Sequence, residues 1–118
     1  MFQEGDIVVA SLQQADGQRK LRPVLVLKVF HAPYSDIFVC GISSSTQQMV
    51  SDFDELLLPT DADYLESGVL QPSLIRLGFL ATIPQSNIQK VIGAISLERH
   101  KRLLRRLCQY FLSSSSTL

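Results

Sequence analysis

The sequence predicts a mostly β fold, a small twisted barrel with one α-helix packed on it at the C-terminal end. Short runs of β-favouring residues recur between Gly, Pro, Asn and Asp turn signals. Only near the C-terminus does an extended run place apolar residues at helical spacing. A chain of 118 residues is long enough for one domain with one modest core.

Each element follows from local pattern. Asp6 to Ser11 is the first strand, entered from a Gly5-Asp6 turn. Gln13 to Leu21 is a polar loop, with Asp16-Gly17 as its turn signal and Gln18-Arg19-Lys20 making it basic. Pro23 to Phe30 is the second strand; proline is tolerated at a first position, where no ladder donor is needed. Its unbroken apolar run, Val24-Leu25-Val26-Leu27, suits a strand buried on both faces. After the turn Ala32-Pro33-Tyr34-Ser35, Asp36 to Ile42 is the third strand, rich in β-formers. Ser43 to Gln48 is a hydroxyl-rich loop, Phe53 to Leu58 a fourth strand ended by Pro59, and Asp61 to Glu66 one helical turn. Ser73 to Leu77 and Phe79 to Ile83 read as two short strands split by Gly78, and Asn87 to Ile95 contains another. Ser96 is the expected N-cap of the final helix. Leu103, Leu104, Leu107, Cys108 and Phe111 form its apolar face, and Arg99, Lys101, Arg102, Arg105 and Arg106 a solvated one. One domain over 1–112 and a frayed tail over 113–118 complete the expectation.

Composition narrows the class. Apolar residues make up 46% and charged residues 19%, which marks a globular chain and not a disordered one. No apolar run approaches the ~20 residues of a membrane span, and Met1-Phe2-Gln3-Glu4 lacks the start of a secretory leader. Formal net charge is zero, which argues against a uniformly basic nucleic-acid binder. The charge is nonetheless segregated. Asp52, Asp54, Glu55, Asp61, Asp63 and Glu66 lie in a stretch without cations, whereas residues 76–118 carry seven cations against Glu98 alone. Such an acidic strip beside a basic helix suits self-association or a protein partner. Cys40 and Cys108 read as two buried thiols of a cytosolic protein. His31 in a turn and His100 on the helix form no pair for acid–base work, and no set of residues has metal-ligand spacing.

The ordered set of motifs resembles the MazF/PemK toxin family. The matching pieces are Gly5-Asp6-Ile7-Val8, Arg22-Pro23-Val24-Leu25-Val26, Val39-Cys40-Gly41-Ile42-Ser43-Ser44, Gly68-Val69-Leu70, Pro72-Ser73-Leu74-Ile75-Arg76, Leu80-Ala81-Thr82-Ile83 and Ile92-Gly93-Ala94-Ile95-Ser96. The resemblance implies an SH3-like barrel, a cytoplasmic homodimer, and metal-independent, cofactor-free cleavage of single-stranded RNA at short sequences. It also implies a toxin–antitoxin setting, in which a cognate antitoxin blocks the site. Carried over by position, the family's arginine of the Arg-Pro step falls on Arg22, and its catalytic hydroxyl, usually Thr, falls on Ser43. Two positions depart: Phe79 stands near where some members have Gln, and Ala81 where some have a functional Arg.

Metal-free RNA cleavage needs the 2′-OH to attack its own phosphate while charge grows on the phosphoryl oxygens. A guanidinium offers paired donors in matching geometry and stays charged, so Arg22 suits that stabilising role. The alternative for Arg22 is a loop arginine paired with Asp6, Asp16 or the acidic strip. Ser43 either orients a phosphate oxygen or satisfies a turn. Arg19, Lys20, Ser44, Ser45, Thr46 and Arg76 are further candidates for RNA contact, with solvated surface positions as the alternative, or for Arg76 a carboxylate partner. A loop over 12–22 would gate the RNA groove. Two rival functions stand beside the endoribonuclease: an inactive module binding RNA or a protein, and a gyrase-poisoning CcdB-like toxin whose C-terminal helix carries the target contact.

Overall fold

The computed structural model describes residues 2–113. Six antiparallel strands curl into a half-barrel in the order β4-β5-β3-β2-β1-β6, with a C-terminal helix against the sheet. The strands are β1 (Asp6–Gln13), β2 (Arg19–Val29), β3 (Ile37–Ser43), β4 (Glu55–Leu57), β5 (Ser73–Ile83) and β6 (Ile88–Ala94). The helices are α1 (Tyr64–Ser67) and α2 (Leu97–Leu112). This is the expected fold class. The expected frayed tail falls, beyond Ser113, outside the described residues. No helix among the described residues is long and apolar enough to cross a membrane.

The sheet is buried on both sides, as the unbroken run in β2 predicted. Leu25 and Leu27 join Cys40, Ile75 and Leu77 in a core that receives Leu103 and Leu107 of α2. Val24 and Val26 point the other way, joining Val8, Ala10, Ile37, Val39 and Ile83 in a second core. Each fully buried Leu, Ile or Val contributes roughly 1.5–3 kcal/mol relative to exposure. Burial also pushes the Cys40 thiol well above its ordinary range, with the Asp54 charge adding to the effect, so Cys40 is an inert core residue.

Four expectations need correction. The polar segment 13–21 is a hairpin rather than a loop: β1 and β2 stay paired out to Gln13 opposite Arg19. Only Gln14 to Gln18 turn, where Gly17 takes a left-handed φ of 85° and Asp16 accepts the Gln18 N–H. Polar residues carry no alternation to betray a two-stranded ladder, so the pattern hid it; a loop gating the groove over 12–22 is replaced by a paired ribbon. The two strands expected around Gly78 are one strand with a bend. Cys40 faces Leu80 while Gly41 faces Arg76, which leaves Leu77, Gly78 and Phe79 without partners on β3. The buried Asp54 carboxylate takes the Leu77 N–H at 3.0 Å and keeps the chain continuous there.

Cys108 is exposed and not buried. Tyr110, Phe111 and Leu112 are exposed as well, so beyond Leu107 the apolar face of the helix is no longer covered by the core. The helix cations are not all a solvated face. Arg99 is 7% exposed. It donates to Asp63 through Nε (2.9 Å) and Nη2 (3.1 Å), and to Glu55 through Nη1 (2.9 Å). Arg102 and Arg106 close on the same Glu55 at 2.7 and 3.0 Å. Half of the acidic strip, Glu55, Asp61 and Asp63, is thereby engaged inside the molecule, fastening α2 to β4 and to the entrance of α1. Burial alone would raise the Asp63 carboxyl, but the hydrogen bonds from Arg99 and the Ser96 N–H and the Arg99 charge hold it at about 2. Arg102, Arg106 and Arg99 likewise keep Glu55 below its ordinary value against a burial effect of opposite sign.

α2 starts where Ser96 accepts the Arg99 N–H as N-cap. His100, buried beside it, donates from Nε2 to the Leu27 carbonyl at 2.9 Å and pins the helix to β2. α1 bridges the sheet's two open edges. It follows β4 at one edge and packs on β6 at the other. A Cβ at Gly68 would strike the Ile92 carbonyl, and one at Gly93 would strike the Glu66 and Ser67 backbone. Gly68 also has a left-handed φ of 77°.

Candidate functional site

Strand register determines which side chains meet at the open face. Gly41 of β3 lies between Val24 of β2 and Arg76 of β5. Across β1, Pro23 and Lys90 both pair with Val9. A cleft of about 710 Å³ forms over this region, walled on one side by the segment after α1, Gly68 to Gln71. Among the described residues its cations are Arg22, Arg76 and Lys90, and no Asp, Glu or His lines it.

Arg22 is exposed, and its guanidinium has one side-chain contact, from Nη2 to Gln14 Oε1 at 3.4 Å. Among the described residues the alternative pairings do not occur: Arg22 forms no ion pair, Asp6 accepts the Gln3 N–H, Asp16 the Gln18 N–H, and Glu55, Asp61 and Asp63 of the acidic strip are taken by α2. Arg76 forms no ion pair with any described carboxylate either, and lines the cleft instead. Both guanidiniums are therefore uncommitted. Ser43 ends β3 and is half-buried; its Oγ accepts the Ser45 N–H at 3.0 Å. That bond is the turn role, and it leaves the hydroxyl of Ser43 able to donate in a cleft that Ser43 lines.

The cleft brings together Arg22, Ser43, Ser44, Ser45 and Arg76 of the predicted residues. It does not include Lys20, Arg19 or Thr46. Thr46 opens a 3-10 turn, Thr46–Gln48. Arg19 borders a smaller neighbouring cavity. Sequence reasoning passed over Lys90, Gln14 and Gln71, which also line the cleft. For Lys90 the only signal is cross-strand register, which no local pattern supplies; Gln14 and Gln71 arrive from the hairpin turn and the segment after α1.

A curled antiparallel sheet that carries a helix on one side and a cationic, acid-free cleft on the other defines a small-barrel protein equipped to receive a polyanion. Residues 3–111 match the PemK-like, MazF-like toxins of type II toxin–antitoxin systems, and the chain belongs to that family. The family's toxins are endoribonucleases, and a type II system pairs the toxin with a protein antitoxin. Among solved structures, the chain is similar in fold to the Mycobacterium tuberculosis toxin MazF-mt6. The TM-score is 0.64 at 21% identity, over 93% of this chain and 99% of that one. At that identity the likeness speaks to fold alone. No curated protein matches the chain.

Proposed function

We propose that the protein is a sequence-specific, metal-independent endoribonuclease that cleaves single-stranded RNA in the cleft of Arg22, Ser43 and Arg76. The observation that carries this is the pair of uncommitted guanidiniums in a cleft without carboxylates. A permanent cation without an ion-pair partner is available to a phosphate, and the missing acids remove the charge that would repel one. Among the described residues the lining offers no carboxylate, imidazole or thiolate to hold a divalent ion, which supports a reaction without metal.

In the proposed step the ribose 2′-OH loses its proton and its oxygen bonds to phosphorus. The bond from phosphorus to the 5′-oxygen breaks, and that oxygen gains a proton. Water exchanges both protons, since the cleft presents no general base. Arg22 stabilises the charge that grows on the non-bridging oxygens, and Ser43 donates its hydroxyl to one of them. Arg76 and Lys90 hold flanking phosphates, and Ser44 and Ser45 contact backbone or bases. The protein acts in the cytoplasm as a homodimer restrained by its antitoxin. Apolar side chains exposed at Leu65, Leu70 and Leu97 are surface that such partners would cover.

The test is incubation of purified protein and a long single-stranded RNA with EDTA, followed by mapping of fragment ends, for wild type, Arg22→Ala and Ser43→Ala. Wild type should cut at discrete sites. Loss of one oriented transition-state donor lowers rates about 10²–10³-fold, so Arg22→Ala should abolish visible cutting, with Ser43→Ala less affected. Cleavage by Arg22→Ala within tenfold of wild type would sink this mechanism. RNA left intact by all three proteins would favour the inactive binding module, the reading that the departures at Phe79 and Ala81 support.

A further inference from the structure

The cationic cleft does not end at Phe79. A second cavity of about 370 Å³ begins on the far side of that ring, and Phe79 and Leu12 line both. Leu12 is buried, whereas Phe79 is 39% exposed and has no aromatic neighbour among the described residues. The ring is held against the backbone of β3, at Gly41. A Cβ on Gly41 would lie 2.8 Å from the ring's Cδ2 and 3.3 Å from the Phe79 Cβ. Only a residue without a side chain lets the ring settle there, at the bend where β5 releases Phe79 from strand pairing.

The far cavity is also free of acids, and its cation is Arg19. Arg19 is oriented by Ser11: its Nε donates to the Oγ and its Nη2 to the carbonyl, both at 3.0 Å. Asn87 reaches the same carbonyl through Nδ2 at 3.1 Å. Arg22 lines the first cavity, Arg19 the second and Phe79 both, so the order across the two cavities is a guanidinium, an exposed aromatic ring and a second guanidinium. Alternating cations and aromatic faces is the way single-stranded nucleic acid is tracked, phosphate by phosphate and base by base.

We propose that Phe79 is the stacking platform for the nucleobase beside the cleaved phosphate, and that the strand continues past it into the Arg19 cavity. This subsite rests on the assignment of the larger cleft to RNA. It gives a positioning role to a residue that departs from the Gln of some relatives, and it makes Gly41 part of the platform.

The sequence contains no tryptophan, so Phe79→Trp places a single indole at the point in question. The probe is a random pool of 2′-O-methyl RNA 12-mers, which cannot be cleaved because the attacking oxygen is methylated. Binding is followed by anisotropy of labelled RNA and, in Phe79→Trp, by indole fluorescence. Stacking on an aromatic side chain is worth enough to change affinity about 5- to 140-fold. Phe79→Ala and Phe79→Leu should each lose affinity in that range, and Phe79→Trp should be quenched on binding. Leu keeps the apolar cover over Gly41, so it carries the test if Ala unfolds. RNA binding by Phe79→Trp without quenching, or Phe79→Leu binding within twofold of wild type, overturns the subsite. Cleavage of unmethylated RNA by wild type decides the parent assignment separately. Cleavage without quenching leaves the cleft standing and removes the platform; neither binding nor cleavage removes both.

Discussion

Replacing Arg99 with methionine tests whether the buried ion network holds the helix to the barrel. The side chain contacts Glu55 at 2.9 Å, Asp61 at 3.2 Å and Asp63 at 2.9 Å, and its Nη1 also donates to the Leu56 carbonyl at 3.1 Å. After the substitution Glu55 still has Arg102 and Arg106, so the loss falls on Asp63. That carboxylate is buried and would keep only the Ser96 N–H at 3.0 Å. Removing one partner of a buried pair costs about 3–5 kcal/mol, most of it the stranded charge. An unfolding entropy near 2.1 cal/mol/K per residue makes 1 kcal/mol worth about 4 °C in a chain of this length, so Tm should fall by about 12–20 °C. Arg102→Met is the control. Arg102 is 41% exposed and its partner keeps two other arginines, so the loss should stay within about 1 kcal/mol. Adding Asp63→Asn to Arg99→Met removes the stranded charge and should recover part of the loss. Calorimetry decides: an Arg99→Met Tm within about 4 °C of wild type, or no lower than that of Arg102→Met, would refute the reasoning.

Two further outcomes follow from the same geometry. Asp63 falls from an ordinary 3.8 to about 2, and Glu55 is also lowered. Carboxyls depressed on folding stabilise the protein above their unfolded values, and that stability is lost as pH falls through 3.8 toward 2. Asp63 alone should account for about 2 kcal/mol; Tm measured from pH 7 to pH 2 should drop in that window for wild type and less steeply for Arg99→Met. At the seam between α1 and β6, Gly93→Ala drives a methyl into the Glu66 and Ser67 backbone and should cost about 1–3 kcal/mol. An unchanged urea midpoint would show that the seam yields freely.

Much of the architecture is written in local pattern. The double-sided burial of β2 is visible in Val24-Leu25-Val26-Leu27, and α2 in Ser96 and the Leu103, Leu104, Leu107 spacing. Turn chemistry at Asp16-Gly17 locates the hairpin tip but not how far the ladder extends, because Gln13, Arg19 and Lys20 are polar whether paired or free. The site was half legible. Arg22, Ser43 and Arg76 stand at strand positions that the ordered motifs single out, and they line one cleft. Lys90 was silent, since it joins the site through β1, and Phe79 stood out only as a departure from the family, since it reaches the cleft through a three-residue slip opposite Gly41. The pairing of Arg99 with Asp63 spans 36 residues; charge segregation hinted that the acidic strip needed a cationic partner, but not that the partner lay in the same chain.

The two edges of the sheet are never laddered to each other. A short helix and a pair of glycines fasten them, and the segment that leaves this clasp, Gly68 to Gln71, is also a wall of the cleft. The molecule's mouth therefore lies beside a joint made by close packing and not by strand pairing. Separating the clasp would widen the cleft without breaking a hydrogen bond between strands, so its cost is set by local packing and can fall below that of global unfolding. The breadth of the groove is a property of the clasp and not of the sheet. A ligand that wedges the clasp apart would alter the groove without touching a cation in it, and one that spans it would brace the entire ring.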